Sequence, residues 1–550
     1  MSLNRLSFFC MILSGFCLSC SNSVDTIIHG ATIYTVDENN KIAQAMAIDD
    51  GVIVAVGTDD EILNEYHARG VLDAKGLPIY PGFIDSHAHF LALGLLQNQI
   101  DLTNTKSFDE IIGMLQAYKE ANPEIQIIQG RGWDQNDWSV KKLPTKKILD
   151  SLFPEIPIIL RRIDGHAILV NQYVMNQAEV DLSSPIENGI IIKDEKAQPT
   201  GVLIDGAMNL VDAIIPQPTK KEKIEALKRA EEICFSHGIT TVSEAGLDKE
   251  DIFLIKDLHD SKELKIKIYA MISNTEENLH YFLDQRGIIS TDKLNVRSVK
   301  VYADGALGSR GAALKENYSD ADHRGVFLTE IEDLQQLAFR IAQKETFQMN
   351  THAIGDLANY EVLRAYRNAL FFSKDPRWRI EHAQIMDTND INLYDYRIIP
   401  SVQPTHATSD MNWVEERIGP QRMVGAYPYK RLLERSGSIA LGTDFPVEDV
   451  SPLKTFAAAV ARQDMNGYPR KGFLKRDSLS RQEALKGMTY WGAHANFEED
   501  KKGSIEVGKS ADFTILDKDI MLIDWPSVLS TRVVATFLDG DIVFSNRFSN

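Results

Sequence analysis

Short apolar runs separated by Gly, Asn and Asp turns open the chain: "TIIHGATIYTVDENN" and "AMAIDDGVIVAVG" alternate or cluster β-branched residues between turn formers. That pattern predicts short strands from Ile27 to about Pro78. The same texture returns near the carboxyl end in "KSADFTILDKDI" and "VVATFLDGDIVFS". Between the two, apolar strand-like runs alternate with helix-like stretches such as Lys220–Cys234 and Glu330–Lys344, the sign of repeated βα units. Strand candidates lie at Gly82–Ser86, Ile125–Gly130, Ile239–Ser243, Val296–Val301, Phe347–Asn350, Trp378–Ile380, Ile398–Val402 and Ser438–Leu441. Eight such units predict an α/β fold closed as a (β/α)8 TIM barrel. The stretch from about Trp133 to Pro216 is too long for one βα connection and contains the strand-like "IPIILRR", so it reads as an insertion. Strand patterns at both ends predict a small β domain assembled from the two termini.

The first twenty residues differ from all of this. Arg5 belongs to a short basic start, an uncharged apolar run extends from Leu6 to Leu18, and Cys20 is followed by polar Ser21, Asn22 and Ser23. The run is short for a membrane span and suits the core of an export signal. Its end resembles a bacterial lipobox, with Cys17 where leucine is usual. The expectation is a signal peptide at 1–20 and an exported protein, held to a membrane by a lipid on Cys20, with a periplasmic or secreted form as the alternative. Three of the four cysteines lie in this segment, so no disulfide framework is expected beyond it. The fourth, Cys234, reads as a small buried thiol rather than a nucleophile.

Composition adds one exclusion. Hydrophobic residues at 44% and charged residues at 25% are ordinary for a globular chain of 550 residues, but the net charge of −19 argues against a nucleic-acid partner. A small-molecule substrate remains compatible, because a cleft can differ in sign from the surface.

The candidate chemistry sits at the carboxyl ends of the predicted strands, which in a βα barrel form one rim. "PGFIDSHAHF" carries His87 and His89, "VRSVKVYADG" Lys300, "FQMNTHAIGD" His352, "WRIEHAQ" His382 and "SIALGTDFP" Asp444. Residues two apart on a strand face the same side, so His87 and His89 can grip one ion together. Lys300 lies in an apolar strand, where an unpaired ammonium is costly. It reads either as a carbamate formed with CO2, able to bridge metals, or as a lysine paired with a rim carboxylate such as Asp304. Asp444 can take the proton of a metal-bound water, or it can simply form the turn before Phe445-Pro446. Glu381 is expected on the opposite side of its strand from His382, in a structural role.

Together with "GRGWDQNDW", "LRRIDGHAILVN", "PTGVLID", "SVKVYADGALGSRGAAL", "THAIGD", "RIEHAQ", "LGTDFPVEDVSPL" and "GSIEVGKSADFTILDKDI", these motifs resemble the amidohydrolase superfamily, in particular the amidohydrolase 3 branch that includes N-substituted formamide deformylases. The resemblance covers nearly all of the chain after the signal. It implies a β-sandwich from residues 24–80 and 495–550, beside a barrel at 81–494 with its insertion at about 133–216. It implies His87, His89, Lys300 (carboxylated), His352, His382 and Asp444 as ligands of one or two divalent ions, zinc above all, with Asp444 as the catalytic acid and base. Trp133, Asp134, Arg162, Asp164 and His166 in the insertion, and His406 at a strand end, are the candidate substrate contacts. The implied function is hydrolysis of a non-peptide, amide-type C–N bond by metal-activated hydroxide. A deaminase, an ester, lactone or phosphoester hydrolase, and a noncatalytic solute-binding lipoprotein are the competing readings.

Overall fold

The computed structural model describes residues 22–181, 184–186 and 188–547. Cys20 and the whole export segment lie outside the described residues. Eight parallel strands form the central sheet: Phe83–Ala88, Ile239–Leu247, Lys267–Ser273, Leu294–Tyr302, Gln348–Ala353, Trp378–His382, Ile398–Val402 and Ala440–Leu441. Backbone bonds draw the last against the first. Asp444 N donates to His87 O at 2.8 Å and His89 N donates to Phe445 O at 2.8 Å, so the sheet curls into a barrel.

The strands are buried along their length and rich in Ile and Val, as expected where helices cover a parallel sheet. The covering helices are defined by their own caps and stripes. Lys220–Ser236 starts at a capping box of Thr219 and Glu222, and buries Ala226, Leu227, Ala230, Cys234 and Phe235. Cys234 lies wholly in this core, and burial pushes its thiol well above the usual range, the setting of a packed structural thiol. Ile331–Ala342 buries Leu334, Leu337, Ala338 and Ile341, one face at i, i+3, i+4, i+7 spacing.

Seven of the eight strand candidates fall on barrel strands. Ile125–Gly130 does not: Ile128–Trp133 belongs to a separate six-stranded sheet, and the barrel strand missed by the pattern is Lys267–Ser273. Period and apolar content cannot tell which sheet a short buried strand joins. Lys267 also disguises its strand by placing a charge at its start. Its ammonium is buried and donates to Asp512 Oδ2 at 2.7 Å and to Asp539 Oδ1 at 2.6 Å, tying the barrel to the carboxyl-terminal strands.

The separate sheet has the order Gly189–Lys193, Pro199–Asp205, Ala167–Val170, Ile158–Arg162, Ile128–Trp133, Ile100–Asp101. It therefore begins upstream of residue 133, at Ile100. The chain ends build two further sheets. Asn22–His29 pairs with Ala45–Asp49 and Tyr66–Asp73, while Pro78–Pro81 pairs antiparallel with Phe513–Leu516 and so joins the two termini in one sheet. Ile28, Met46 and Ile53 from one sheet share a core with Ile33, Phe513, Ile515 and Phe537 from the other. Each such side chain contributes roughly 1.5–3 kcal/mol on burial. Among the described residues no helix is long and apolar enough to cross a membrane.

Candidate metal centre

His87 stands at the carboxyl end of the first barrel strand, Lys300 on the fourth, His352 on the fifth, His382 on the sixth, and Asp444 three residues past the eighth. Although far apart in sequence, they line one cavity of about 1260 Å³ between the barrel rim and the insertion. His87 Nε2 is 3.7 Å from Asp444 Oδ1, His89 Nε2 is 3.3 Å from the same oxygen, and Lys300 Nζ is 3.1 Å from His87 Nε2. His382, His406 and Asp444 form a second group of converging donors that shares Asp444 with the first. His352 lies beside them, its ring centroid 4.6 Å from that of His382, but outside both tight groups. His352 and His406 both line the cavity.

The outer nitrogens of three rings are engaged. His87 Nδ1 is 2.6 Å from Glu381 Oε2, His382 Nδ1 is 2.7 Å from Gln403 Oε1, and His406 Nδ1 is 3.0 Å from Glu448 Oε1. For His87 and His382, an acceptor on Nδ1 fixes the tautomer and leaves Nε2 free to ligate, which is how metal-binding histidines are usually held. His406 differs: burial would lower it, but Asp444 at Nε2 and Glu448 at Nδ1 hold the ring well above its usual range. Asp444 Oδ1 is buried and, among the described residues, makes no well-formed hydrogen bond; its nearest neighbours are His89 Nε2 at 3.3 Å and His87 Nε2 at 3.7 Å. Burial lowers the His89, His352 and His382 rings, keeping them neutral as a cation ligand requires. Burial alone would raise Asp444, but the adjoining His406 and His89 rings outweigh it and hold the carboxyl well below its ordinary range. Neutral imidazoles around an ionised, under-bonded carboxylate are a donor set that fits a divalent cation.

Two sequence expectations need correction here. Glu381 is not turned away from the site. His382 has φ of 76° and Ala383 of 44°, so the strand alternation breaks at its last residue. Glu381 then faces inward to His87 while His382 still reaches the rim. Lys300 is not paired with Asp304, whose carboxylate accepts from the backbone N–H groups of Ala313, Ile354 and Gly355 at 2.8–2.9 Å. Among the described residues Lys300 has only His87 as a hydrogen-bond partner, and burial first of all pulls its ammonium down to about 8. The turn at Asp444 is real, with φ of 63°, and serves to lift the carboxylate over the cavity. Asp85 accepts from His87 N at 3.2 Å and from Thr443 Oγ1 at 2.7 Å, locking the first and last strands together beneath it. Gln403, at the carboxyl end of the seventh strand, was open to the same rim argument that found the histidines.

In the insertion, Asp134, Arg162, Asp164 and His166 line the cavity. Arg162 is buried and flanked by ion pairs to Asp134 and Asp164, and His166 Nδ1 is 2.7 Å from Asp205 Oδ1. Trp133 is a different case. A bulge at Gly132, where φ is 115°, shifts the register between Arg131 and Trp133. The shift turns the indole into the insertion's own core, where Nε1 donates to Leu160 O at 2.8 Å, so Trp133 packs the wall and does not meet the cavity.

A family model described as the amidohydrolase family matches residues 70–544. The chain belongs to this family. YtcJ of Bacillus subtilis is 31% identical over 94% of this chain and 99% of its own length. The N-substituted formamide deformylase of Arthrobacter pascens is 25% identical over 94% of this chain and 97% of its own. Among solved structures, an uncharacterised metal-dependent hydrolase of Pyrococcus horikoshii superposes with a TM-score of 0.73 at 27% identity, covering 91% of this chain and 99% of that one. Membership identifies the barrel as that of a hydrolase, with His and Asp groups suited to a metal.

Glu381 then has a measurable duty. Glu381→Gln keeps the shape but removes the charge that holds His87. Metal affinity should fall by about 10- to 100-fold, the scale seen when such supporting partners are lost. Competition against a chromophoric chelator measures it, and unchanged affinity would free Glu381 of this role.

Proposed function

We propose that this family member hydrolyses a non-peptide, amide-type C–N bond of a small molecule, with one or two divalent ions, zinc first among them. The observation that carries the proposal is the buried Asp444 carboxylate on the barrel rim, which converges with His87 and His89 on one side and with His382 and His406 on the other. When bound, a divalent ion supplies a Lewis acid and an activated water at neutral pH. The protein's own part follows from its side chains. His87, His89, His352, His382 and Asp444 hold the ion or ions, with His406 beside them, and Glu381 and Gln403 orient His87 and His382. Asp444, ionised, accepts a proton at its carboxylate and passes it to the departing nitrogen. The resemblance of the whole chain to a deformylase of N-substituted formamides supports a C–N bond as the target.

Lys300 enters as a carbamate. CO2 adds to its neutral amine, forming an N–C bond and releasing a proton, and the product offers two oxygens and one negative charge. Its depressed pKa of about 8, with burial as the chief cause, keeps the amine available for this step.

Turnover of an amide panel by metal-loaded protein, with the amine product quantified, tests the function. Release of amine from any member supports it. Binding without turnover anywhere in the panel would instead favour a solute-binding protein. Attachment is a separate part of the proposal: the export segment is removed and Cys20 carries a diacylglyceryl group. Mass spectrometry of membrane fractions should find that modified terminus, and a soluble form beginning at another residue would contradict it.

A further inference from the structure

Two arginines of the insertion line the cavity without a part in the hydrolysis proposed above. Arg131 and Arg161 face each other in register on neighbouring parallel strands, so their side chains leave the same face of the sheet about 4.8 Å apart. The bulge at Gly132 sends Trp133 to the core but leaves Arg131 on the cavity face. Like charges placed directly opposite across strands are destabilising, and a sheet normally interleaves them with acids.

Here, among the described residues, neither guanidinium has a carboxylate within ion-pair distance. Arg162, the next residue along, shows the contrast: it is clamped between Asp134 and Asp164. Arg131 Nη2 donates to Ile163 O at 3.1 Å and Arg161 Nη1 donates to Gly165 O at 3.3 Å. Arg131 Nε is buried with no acceptor at all. Of the five N–H donors on each fork, most therefore have no protein partner. Burial lowers both groups, Arg131 to about 10 with Arg161 adding to the effect. Asp444 and Asp164 act on Arg131 from a distance, and Asp212 on Arg161.

An uncompensated pair of planar cations thus sits on the cavity wall of a chain whose net charge is −19. We propose that Arg131 and Arg161 bind a carboxylate of the substrate, which makes the substrates amides carrying a carboxylate away from the bond that is cut. Guanidinium forks match the planar carboxylate, donating two parallel N–H bonds. The carboxylates of Asp134, Asp164 and Glu448 on the same cavity favour a single negative charge over a phosphate dianion. The identity of the cut bond rests on the amide-hydrolase reading; the anion site does not.

The test uses zinc-loaded protein with N-acetyl-L-alanine, N-acetyl-L-leucine and N-acetyl-L-phenylalanine, each paired with its carboxamide. Calorimetry gives affinities and product assays give kcat/KM. The wild type should favour acids over carboxamides by about 10-fold or more, the scale of one charged hydrogen bond. The double variant Arg131→Gln/Arg161→Gln should lose that ratio, and Arg131→Lys/Arg161→Lys should keep part of it, since the charge remains without the fork. The single Gln variants serve if the double one does not fold. A purely structural role, holding the Ile163 and Gly165 carbonyls, would weaken acid and carboxamide alike and leave the ratio intact. That result, a wild type without acid preference, or no binding of either set overturns the proposal. Acid preference in binding without any turnover would leave the anion site standing and sink the amide reading.

Discussion

Asp444→Asn is expected to lower kcat by about 10²- to 10⁴-fold, the usual span for loss of a general acid–base group. Asparagine nearly preserves the volume and the turn at φ 63°, but its amide cannot take a proton at the position of Oδ1. The environment of the carboxylate makes the change informative. His406 Nε2 lies 3.3 Å from Oδ2 and His89 Nε2 lies 3.3 Å from Oδ1, so each carboxylate oxygen faces an imidazole. Metal should be largely retained, because the histidines and Lys300 remain. A fall in metal content that tracks the fall in activity would make Asp444 chiefly a ligand. Near-normal kcat would reduce it to a turn former. Metal analysis and kcat on one preparation separate the three outcomes.

Lys300→Ala should abolish turnover, and short carboxylic acids such as formate or propionate should restore part of it. The alanine leaves a gap beside His87 Nε2, where Lys300 Nζ stood 3.1 Å away, and a small carboxylate entering that gap returns the two oxygens of the carbamate. Rescue that rises with acid concentration and is absent with the corresponding alcohols supports carboxylation. Mass spectrometry under native conditions should also show 44 Da lost when CO2 is removed, the mass of the group that the proposal adds. Full activity of the alanine variant, or no rescue and no mass change, would leave Lys300 as an ordinary buried amine.

Much of the site was legible because the barrel imposes a simple rule. Residues at strand carboxyl ends meet on one rim, and H-x-H on a strand puts His87 and His89 on one side, so spacing and position located the centre. What escaped did so where the backbone leaves its regular period. The positive φ of His382 lets two consecutive residues, Glu381 and His382, serve the same site, against strict alternation. The bulge at Gly132 moves Trp133 out of the cavity and into the core. His406 comes from the short helix Pro404–Ser409 rather than from a strand, so the rim pattern only hinted at it. The barrel itself was legible as eight βα units, yet one unit was misassigned. A buried Lys267 at the head of Lys267–Ser273 breaks the apolar run, while the equally apolar Ile125–Gly130 belongs with the insertion sheet. Hydrophobic pattern reports burial of a strand and not the identity of its neighbours.

On the anion-site proposal, substrate choice lies with the insertion rather than with the barrel. With Arg131, Asp134, Arg161 and Arg162 the insertion lines the same cavity that the rim histidines line. Chemistry from the barrel and selection from the insertion are then separable by mutation. Changes at the arginine pair should move the ratio between substrates, whereas changes at His87 or Asp444 should move every substrate together.

The central claim, that a metal held at the rim drives hydrolysis, is tested most directly by removing and restoring the ion. Protein stripped with a chelator is titrated with zinc while bound metal and amide turnover are followed in the same sample. Activity should be lost on stripping and should return in proportion to the first one or two equivalents bound. The same titration of His87→Ala should show both less metal and less turnover. Full turnover by metal-free protein, or zinc bound stoichiometrically without any return of activity, would contradict the account.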